Sequence, residues 1–390
     1  MPERLKIVLL GMMGSAPYAG QTWLYLNWLR GLAALGHDVY YLEDDTVWPY
    51  DPEADTVSDD CSYAVRHVAA SMGSIGLGDR WAFRLADRDG ACWGLSEAEL
   101  RGLYESCDAL INAGGGTELR DDQMRAAFRV YLETDPVTAE LRIAAGDRDV
   151  AETFAEHHVL ASYGENYGAP DCGVPLNGYR FVLTRQPIDL ELWPMAFQSD
   201  ARYFTTVGNY RQDEADVEWQ GTVYHWSKHH EWERFLELPM KSEQEFELAL
   251  TGFAHGDRAR LDDQGWHVVS PLPMSLDAFG AYRRYIAGSR GEFTVAKDQN
   301  VRLRSGWFSE RAACYLASGK PVVTQDTGFS NVLPTGEGLF AVENVEQAAQ
   351  AVEEINMDYR RHCEAARAIA AEHFEAAAVA RRLLDQLGLT

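Results

Sequence analysis

The sequence predicts an α/β protein built from two successive halves, and three observations carry that expectation. Short β-branched runs alternate with amphipathic helical stretches through most of the chain, the pattern of parallel sheets joined by crossovers. At 390 residues the chain exceeds what one core usually serves. Pro187 and Pro194 also interrupt the pattern near its middle, and a new strand opens soon after. The expected division is 1–190, 191–365 and a C-terminal helix 366–390 that packs back toward the first half.

The first half opens with an apolar strand at 5–10 that ends at Gly11. A glycine-bearing loop follows, then a helix at about 22–35 stopped by Gly36. A second strand, 37–42, runs into Glu43-Asp44-Asp45. Strand, helix, strand is a βαβ unit with a right-handed crossover. Residues 49–71 read as an irregular excursion with short helices. A helix at 96–106 precedes the strand 109–112, whose carboxyl end carries Gly114-Gly115-Gly116. The strand 130–133 ends in Thr134-Asp135-Pro136 before a short helix, 137–144. Strands at 159–163 and 181–183 complete about six.

The second half is expected to hold strands at 203–207, 246–250, 266–270, 292–296, 321–324 and 339–342. Helices are expected at 230–237, 277–289 and 308–317. From 345 the chain reads as helical apart from breaks, ending in the alanine-rich run 363–387.

Composition bounds the function. Lys and Arg number 35 against 60 Asp and Glu, a formal net charge of −25, so the mean surface repels nucleic acid and anionic membrane. The six cysteines show no CxxC or other metal-like spacing and no disulfide framework. The first apolar run comes too early and is too short for a secretory signal, and no window reaches a spanning length. The expectation is a soluble cytoplasmic protein without stable membrane insertion or bound metal; a homodimer is compatible with it. Gly11, Gly14 and Gly20 do not form GxGxxG, which argues against a dinucleotide cofactor.

Against that acidic background the stretch 290–330 stands apart. Lys297, Arg302, Arg304 and Arg311 crowd it. Ser305 and Gly306, with the amides of Trp307, Phe308 and Ser309, lead into a helix closed by Gly319 and followed by the strand at Pro321-Val322-Val323. Free amides at a helix start beside guanidinium groups form an anion site, and a diphosphate suits it.

The segment GWFSERAACYLASGKPVV resembles the donor-binding segment of the group-1 nucleotide-sugar-dependent glycosyltransferases, the spore-maturation type among them. GSAPYAGQTWLYLNWLRGLAALGHDVYYLE is similar to their opening. The resemblance implies the GT-B architecture, two Rossmann-like domains facing a cleft, with the acceptor on the first and the donor on the second. It implies a diphosphate resting on Ser305 to Ser309, its charge met by Arg311 and by Lys297 or Arg304, with Lys228 completing the pocket. The glutamate that holds the donor ribose in this family falls on Cys314, leaving Glu310, one turn earlier, as a substitute or a helix cap. Asp326, Thr327 and Gly328 match the loop near the donor sugar. Tyr18, Ala19 and Gly20 match the loop that faces the acceptor.

An inverting reaction needs a base, and Asp135, His157, His158 and Glu165 are the groups available in the first half. Asp135 precedes a proline at a strand end. Either histidine titrates near neutrality, and each can equally be a structural hydrogen-bonding residue. Asn166 can order a sugar ring or simply close a turn, and Arg185 can reach a phosphate or stitch the halves together. A nucleotide-sugar epimerase or hydrolase of the same fold, and a non-catalytic nucleotide-sugar binding protein, stay beside the transferase as alternatives.

Overall fold

The computed structural model describes residues 4–86, 91–212 and 215–389. Strands of the two large sheets are numbered here along the chain. The first sheet contains β1 (Lys6–Leu10), β2 (Asp38–Asp45), β3 (Trp81–Leu85), β4 (Cys92–Gly94), β5 (Ala109–Ala113), β6 (Arg129–Glu133), β7 (Val159–Ser162) and β8 (Phe181–Leu183). Their order across the sheet is β8-β7-β6-β5-β1-β2-β3-β4, parallel except for the antiparallel edge strand β4. Burial of β1 and β5 on both faces explains the apolar runs 7–10 and 109–111, and the buried Asn112 that follows in β5 donates to the Thr117 carbonyl at 2.8 Å.

The second sheet is wholly parallel. It contains β9 (Tyr203–Asn209), β10 (Glu245–Thr251), β11 (His267–Val269), β12 (Gly291–Thr294), β13 (Val322–Gln325) and β14 (Leu339–Val342), in the order β11-β10-β9-β12-β13-β14. In both sheets the strand order reverses beside the first strand of the half. That is where open α/β sheets receive ligands, at the carboxyl ends.

The structure corrects several expected elements. β3 and β4 escape a pattern search because Arg84 sits inside β3, buried by a two-pronged pair with Asp44 at 2.7 Å on each prong. The excursion at 49–71 holds a small hairpin, Tyr50–Asp51 with Thr56–Val57, and one long helix, Ser62–Ser74. The first helix begins at Ala19, since the carbonyl of Tyr18 already accepts from the Thr22 amide at 2.9 Å. The expected helix 277–289 shortens to Ala281–Gly288. The C-terminal run is two helices, Tyr359–Ile369 and Ala376–Leu387, separated by a π-helical turn at Ala370–Phe374.

The halves are joined by more than a linker. Trp23 of the first helix donates its indole N–H to the carbonyl of Ala278 at 2.8 Å and packs edge-on against Trp193. The helix Ala376–Leu387 lies against Ala19–Ala34, and a Cβ on Gly31 would stand 2.5 Å from the carbonyl oxygen of Ala376. Glycine there sets the separation of the two helices. Among the described residues no helix is long and apolar enough to cross a membrane.

Gly31→Val is therefore expected to lower the melting temperature by several degrees. Gly102→Ala, in the helix Glu97–Ser106 with nothing near its missing Cβ, should raise stability by up to about 1 kcal/mol through helix propensity. Thermal denaturation followed by circular dichroism checks the contrast.

Candidate functional site

A cleft of about 340 Å³ opens between the carboxyl ends of the two sheets. Thr206, Val207, Gly208 and Asn209 line it from β9, and Thr294 and Lys297 from the end of β12. Trp226, Lys228 and Trp232 come from the loop and short helix that follow β9, and Trp307, Ser309 and Arg311 from the start of the motif helix. Gln21 and Asp135 reach it from the first half.

The helix start differs from expectation in a way that moves the anion site. The amide of Ser305 donates to Asn300 O at 3.3 Å, that of Gly306 to Thr327 O at 2.7 Å, and that of Trp307 to Ser305 Oγ at 3.2 Å. These three are already engaged. Phe308 lies outside the helix, buried against Phe329 and Phe374, with its carbonyl held by Gln186. The helix runs Glu310–Ala317 behind an extended Ser309, and the first amide with a helical partner is that of Ala313. The amides of Glu310, Arg311 and Ala312 thus form the positive end, beside the cleft-lining Ser309 and Arg311.

Three cations meet here. Arg311 is braced by Glu292 Oε1 at 2.5 Å, by the carbonyl of Val207 at 2.7 Å and by Thr294 Oγ1 at 2.9 Å. That uses three of its five N–H bonds and leaves one on each terminal nitrogen. Lys228 stands over the Trp307 ring and Lys297 over the Trp226 ring, so each ammonium rests against an indole face. Burial, with Arg311 and Lys297 alongside, pulls Lys228 down to about 7. Burial pulls Lys297 down to about 8, opposed by its ion pair with Asp135 across the cleft. Asp135 Oδ1 is buried without a partner.

The remaining candidates lie elsewhere. Arg304 adopts φ +48° and turns away to Asp171 at 2.8 Å and Asp326 at 3.2 Å. Asp326 caps the turn at Gly328 and Ser330, and Thr327 Oγ1 holds the Trp307 carbonyl at 2.5 Å, so this loop braces the motif from outside the cleft. Gly328, at φ +93°, is packed against Asn166. The carboxyl of Glu310 faces the first helix, where Asn27 donates to it at 3.3 Å, and burial pushes it well above the usual carboxylate range. Cys314 is fully in the core. The ribose contact expected from this helix has no carboxylate in the cleft to make it.

His157 and His158 are misplaced as bases because they precede β7 and lie at the amino end of the sheet. His157 Nδ1 lies 2.8 Å from Thr153 O, and burial lowers its pKa to about 4. His158 Nδ1 accepts from the Arg129 amide at 3.0 Å. Glu165 is locked to Arg185 at 2.7 and 3.0 Å, and Arg185 stacks over Phe374, so the pair fastens the C-terminal crossing. Asn166 is spent on the opposite half, through Ser305 O, Arg304 O and Asn331. Tyr18 is exposed and stacked on Tyr50, Ala19 is buried, and Gly20 has open space around it; the neighbour that reaches the cleft is Gln21.

Residues the sequence left unmarked are Gln21, Thr206, Asn209, Thr294, Trp226 and Trp232. The available signal for Thr206, Asn209 and Thr294 was position at the carboxyl ends of strands opening and flanking the second sheet. Trp226 is two residues from Lys228, and nothing in the pattern separates it from core tryptophans. Among the described residues no three His, Cys, Asp or Glu side chains come together as metal ligands.

No family profile and no curated protein matches the sequence. Solved structures do match along almost the whole chain. HepE from Anabaena, in complex with UDP-glucose, aligns over 99% of this chain and 100% of its own with a TM-score of 0.59 and 12% identity. An α-glucosyltransferase in complex with UDP-glucose and DNA containing an abasic site aligns over 99% and 100%, with a TM-score of 0.58 and 12% identity. AviGT4, a glycosyltransferase involved in avilamycin A biosynthesis, aligns over 98% and 96%, with a TM-score of 0.54 and 12% identity. Two parallel sheets facing one cleft, matched end to end by these proteins, give this chain the GT-B fold.

Proposed function

We propose that this protein is a glycosyltransferase that moves a sugar from a nucleoside diphosphate sugar to a small-molecule or glycan acceptor. The observation that carries the proposal is the convergence of Lys228, Lys297 and Arg311 with a helix start in the cleft of a GT-B fold, within a chain of net charge −25. Such a cluster repels itself when empty and is complementary to a diphosphate.

The chemistry follows from where charge develops. As the bond from the sugar to the β-phosphate breaks, negative charge grows on the leaving diphosphate, and cations already in place stabilise it without rearrangement. The free hydrogens of Arg311 and the amides of Glu310 to Ala312 would take phosphate oxygens, and Lys228 and Lys297 would complete the cage. Asp135 faces this site from the first half and is the carboxylate placed to accept the proton of an acceptor hydroxyl. Cations of the chain itself supply the charge, and on this proposal the reaction needs no metal.

HepE and the α-glucosyltransferase carry UDP-glucose in their complexes, so UDP is the first probe for this chain. Calorimetry should show Arg311→Met losing at least about tenfold in UDP affinity, the scale of one charged hydrogen bond. Arg304→Ala should change it by less than about twofold. Because Arg311 also neutralises buried Glu292, Arg311→Met is best combined with Glu292→Gln, with Glu292→Gln alone as reference.

The lysines predict a pH dependence with a definite sign. Lys228 at about 7 and Lys297 at about 8 are partly neutral in the free protein above these values, and a bound diphosphate raises both. Binding therefore takes up protons, and UDP affinity should fall by at least about tenfold between pH 7 and pH 9. Lys228→Met should flatten that slope. The same linkage acts on folding: a charged, dried lysine destabilises the empty protein below its folded pKa, and the penalty fades as pH rises toward 10. Lys228→Met should thus raise the melting temperature most at pH 6 and least at pH 10.

The transferase and its rivals part on product. Release of glucose from UDP-glucose at the same rate with and without acceptors would favour a hydrolase; transfer that persists in EDTA supports the proposal.

A further inference from the structure

The chain just beyond Asp135 is held in a conformation that a β-branched residue rarely adopts. Val137 is wholly buried and has φ +92° and ψ −43°, close to the strained form of the γ-turn. Glycine would sit there without strain, so something must hold valine in place.

The holding groups are on the page. The Val137 amide donates to Glu140 Oε2 at 2.9 Å and to Tyr167 Oη at 3.1 Å. Tyr167 in turn donates to Glu133 Oε2 at 3.3 Å, and the same oxygen accepts from Ser162 Oγ at 2.5 Å. Glu133 and Glu140 are both buried; burial and the neighbouring Glu140 raise Glu133 strongly, and burial raises Glu140 as well. On the other side of the turn, Thr134 O accepts from the Trp307 indole at 3.1 Å, and Asp135 pairs with Lys297. Pro136 restricts Asp135 to extended backbone. Only Thr134 thus separates Glu133, in a buried and fastened acid cluster, from the Asp135 carboxylate in the cleft.

We propose that Glu140 and Tyr167 are positioning residues: by clamping the Val137 amide they fix the Asp135 carboxylate opposite Lys297, where it serves the acceptor hydroxyl. The role given to Asp135 rests on the transferase proposal, whereas its placement does not.

The test reads placement directly. Competitive acetylation with acetic anhydride, followed by mass spectrometry of the full-length protein, titrates each lysine separately. Asp135→Asn removes the charge that keeps Lys297 protonated, so Lys297 should acetylate about fivefold faster at pH 7, the effect of about one pKa unit on a lysine that starts near 8. Tyr167→Phe introduces no formal charge, so it acts on Lys297 by letting Asp135 move or through the Glu133 carboxyl it releases. Ser162→Ala, which frees the same Glu133 oxygen but keeps the Val137 clamp, separates the two. Tyr167→Phe should speed Lys297 acetylation at least threefold, and the double change with Glu140→Gln should approach the Asp135→Asn rate. Lys320, remote in the second half, should label as in the wild type and report an intact fold. Wild-type labelling of Lys297 in both Tyr167→Phe and the double variant, with Lys320 unchanged, would overturn the proposal; so would an unchanged Lys297 in Asp135→Asn. Failure of the wild-type protein to bind any nucleoside diphosphate would remove the transferase proposal and leave this result standing.

Discussion

Dried cations cost free energy, and the cleft holds three of them. An ammonium or guanidinium withdrawn from water is stable only with counter-charge or a π face beside it. Arg311 has Glu292, while Lys297 has Asp135 and the Trp226 ring. Among the described residues Lys228 has the Trp307 ring and no carboxylate paired with it, and its proton is the loosest of the three. Among these groups three cations face the two carboxylates Glu292 and Asp135, an excess of one positive charge that an anionic ligand would offset on the proposed reading.

That imbalance explains why both halves are required. Most of the cage belongs to the second half, but the counter-ion of Lys297 comes from the first, across the cleft. Asn166, Trp307 and Gln299 tie the same two surfaces together beside it, through Ser305, Thr134 and Thr138. Gly306 is part of this seam, since a side chain there would collide with the Asn166 backbone. A ligand that drew Lys297 away from Asp135 would therefore act on an interface between halves, and in the proposed reaction this one ion pair would couple donor binding to acceptor chemistry.

The sequence made the two-half α/β architecture and the neighbourhood of the site legible, because glycine turns, β-branched strands and a local excess of positive charge are local signals. Lys297 and Arg311 were found that way. Arg304 carries the same charge in the same stretch and was not separable from them: its left-handed backbone, invisible in composition, sends it to Asp171 and Asp326. His157 and His158 were attractive for their titration range, yet they stand before a strand, and the amino end of a parallel sheet is far from its ligands. Glu165 and Arg185 were each plausible alone; their pairing depends on a fold-level contact with Phe374. Arg84 hid a strand because its partner, Asp44, lies forty residues away.

The departure at Cys314 has a structural logic once the burial of the motif helix is considered. Cys314 lies in the core, where Glu310, Glu292, Arg311 and Arg283 all act on its thiol, and a glutamate there would add a third buried carboxylate beside Glu292 and Glu310. Glu310, one turn earlier, is turned toward Asn27, where burial pushes its carboxyl well above the usual range, and it is not part of the cleft lining. The positive balance around Lys228 and Arg311 is preserved by both substitutions in position. On the proposed reading, a nucleoside in this cleft would meet neutral groups, among them Thr206, Asn209, Gln212 and the tryptophans.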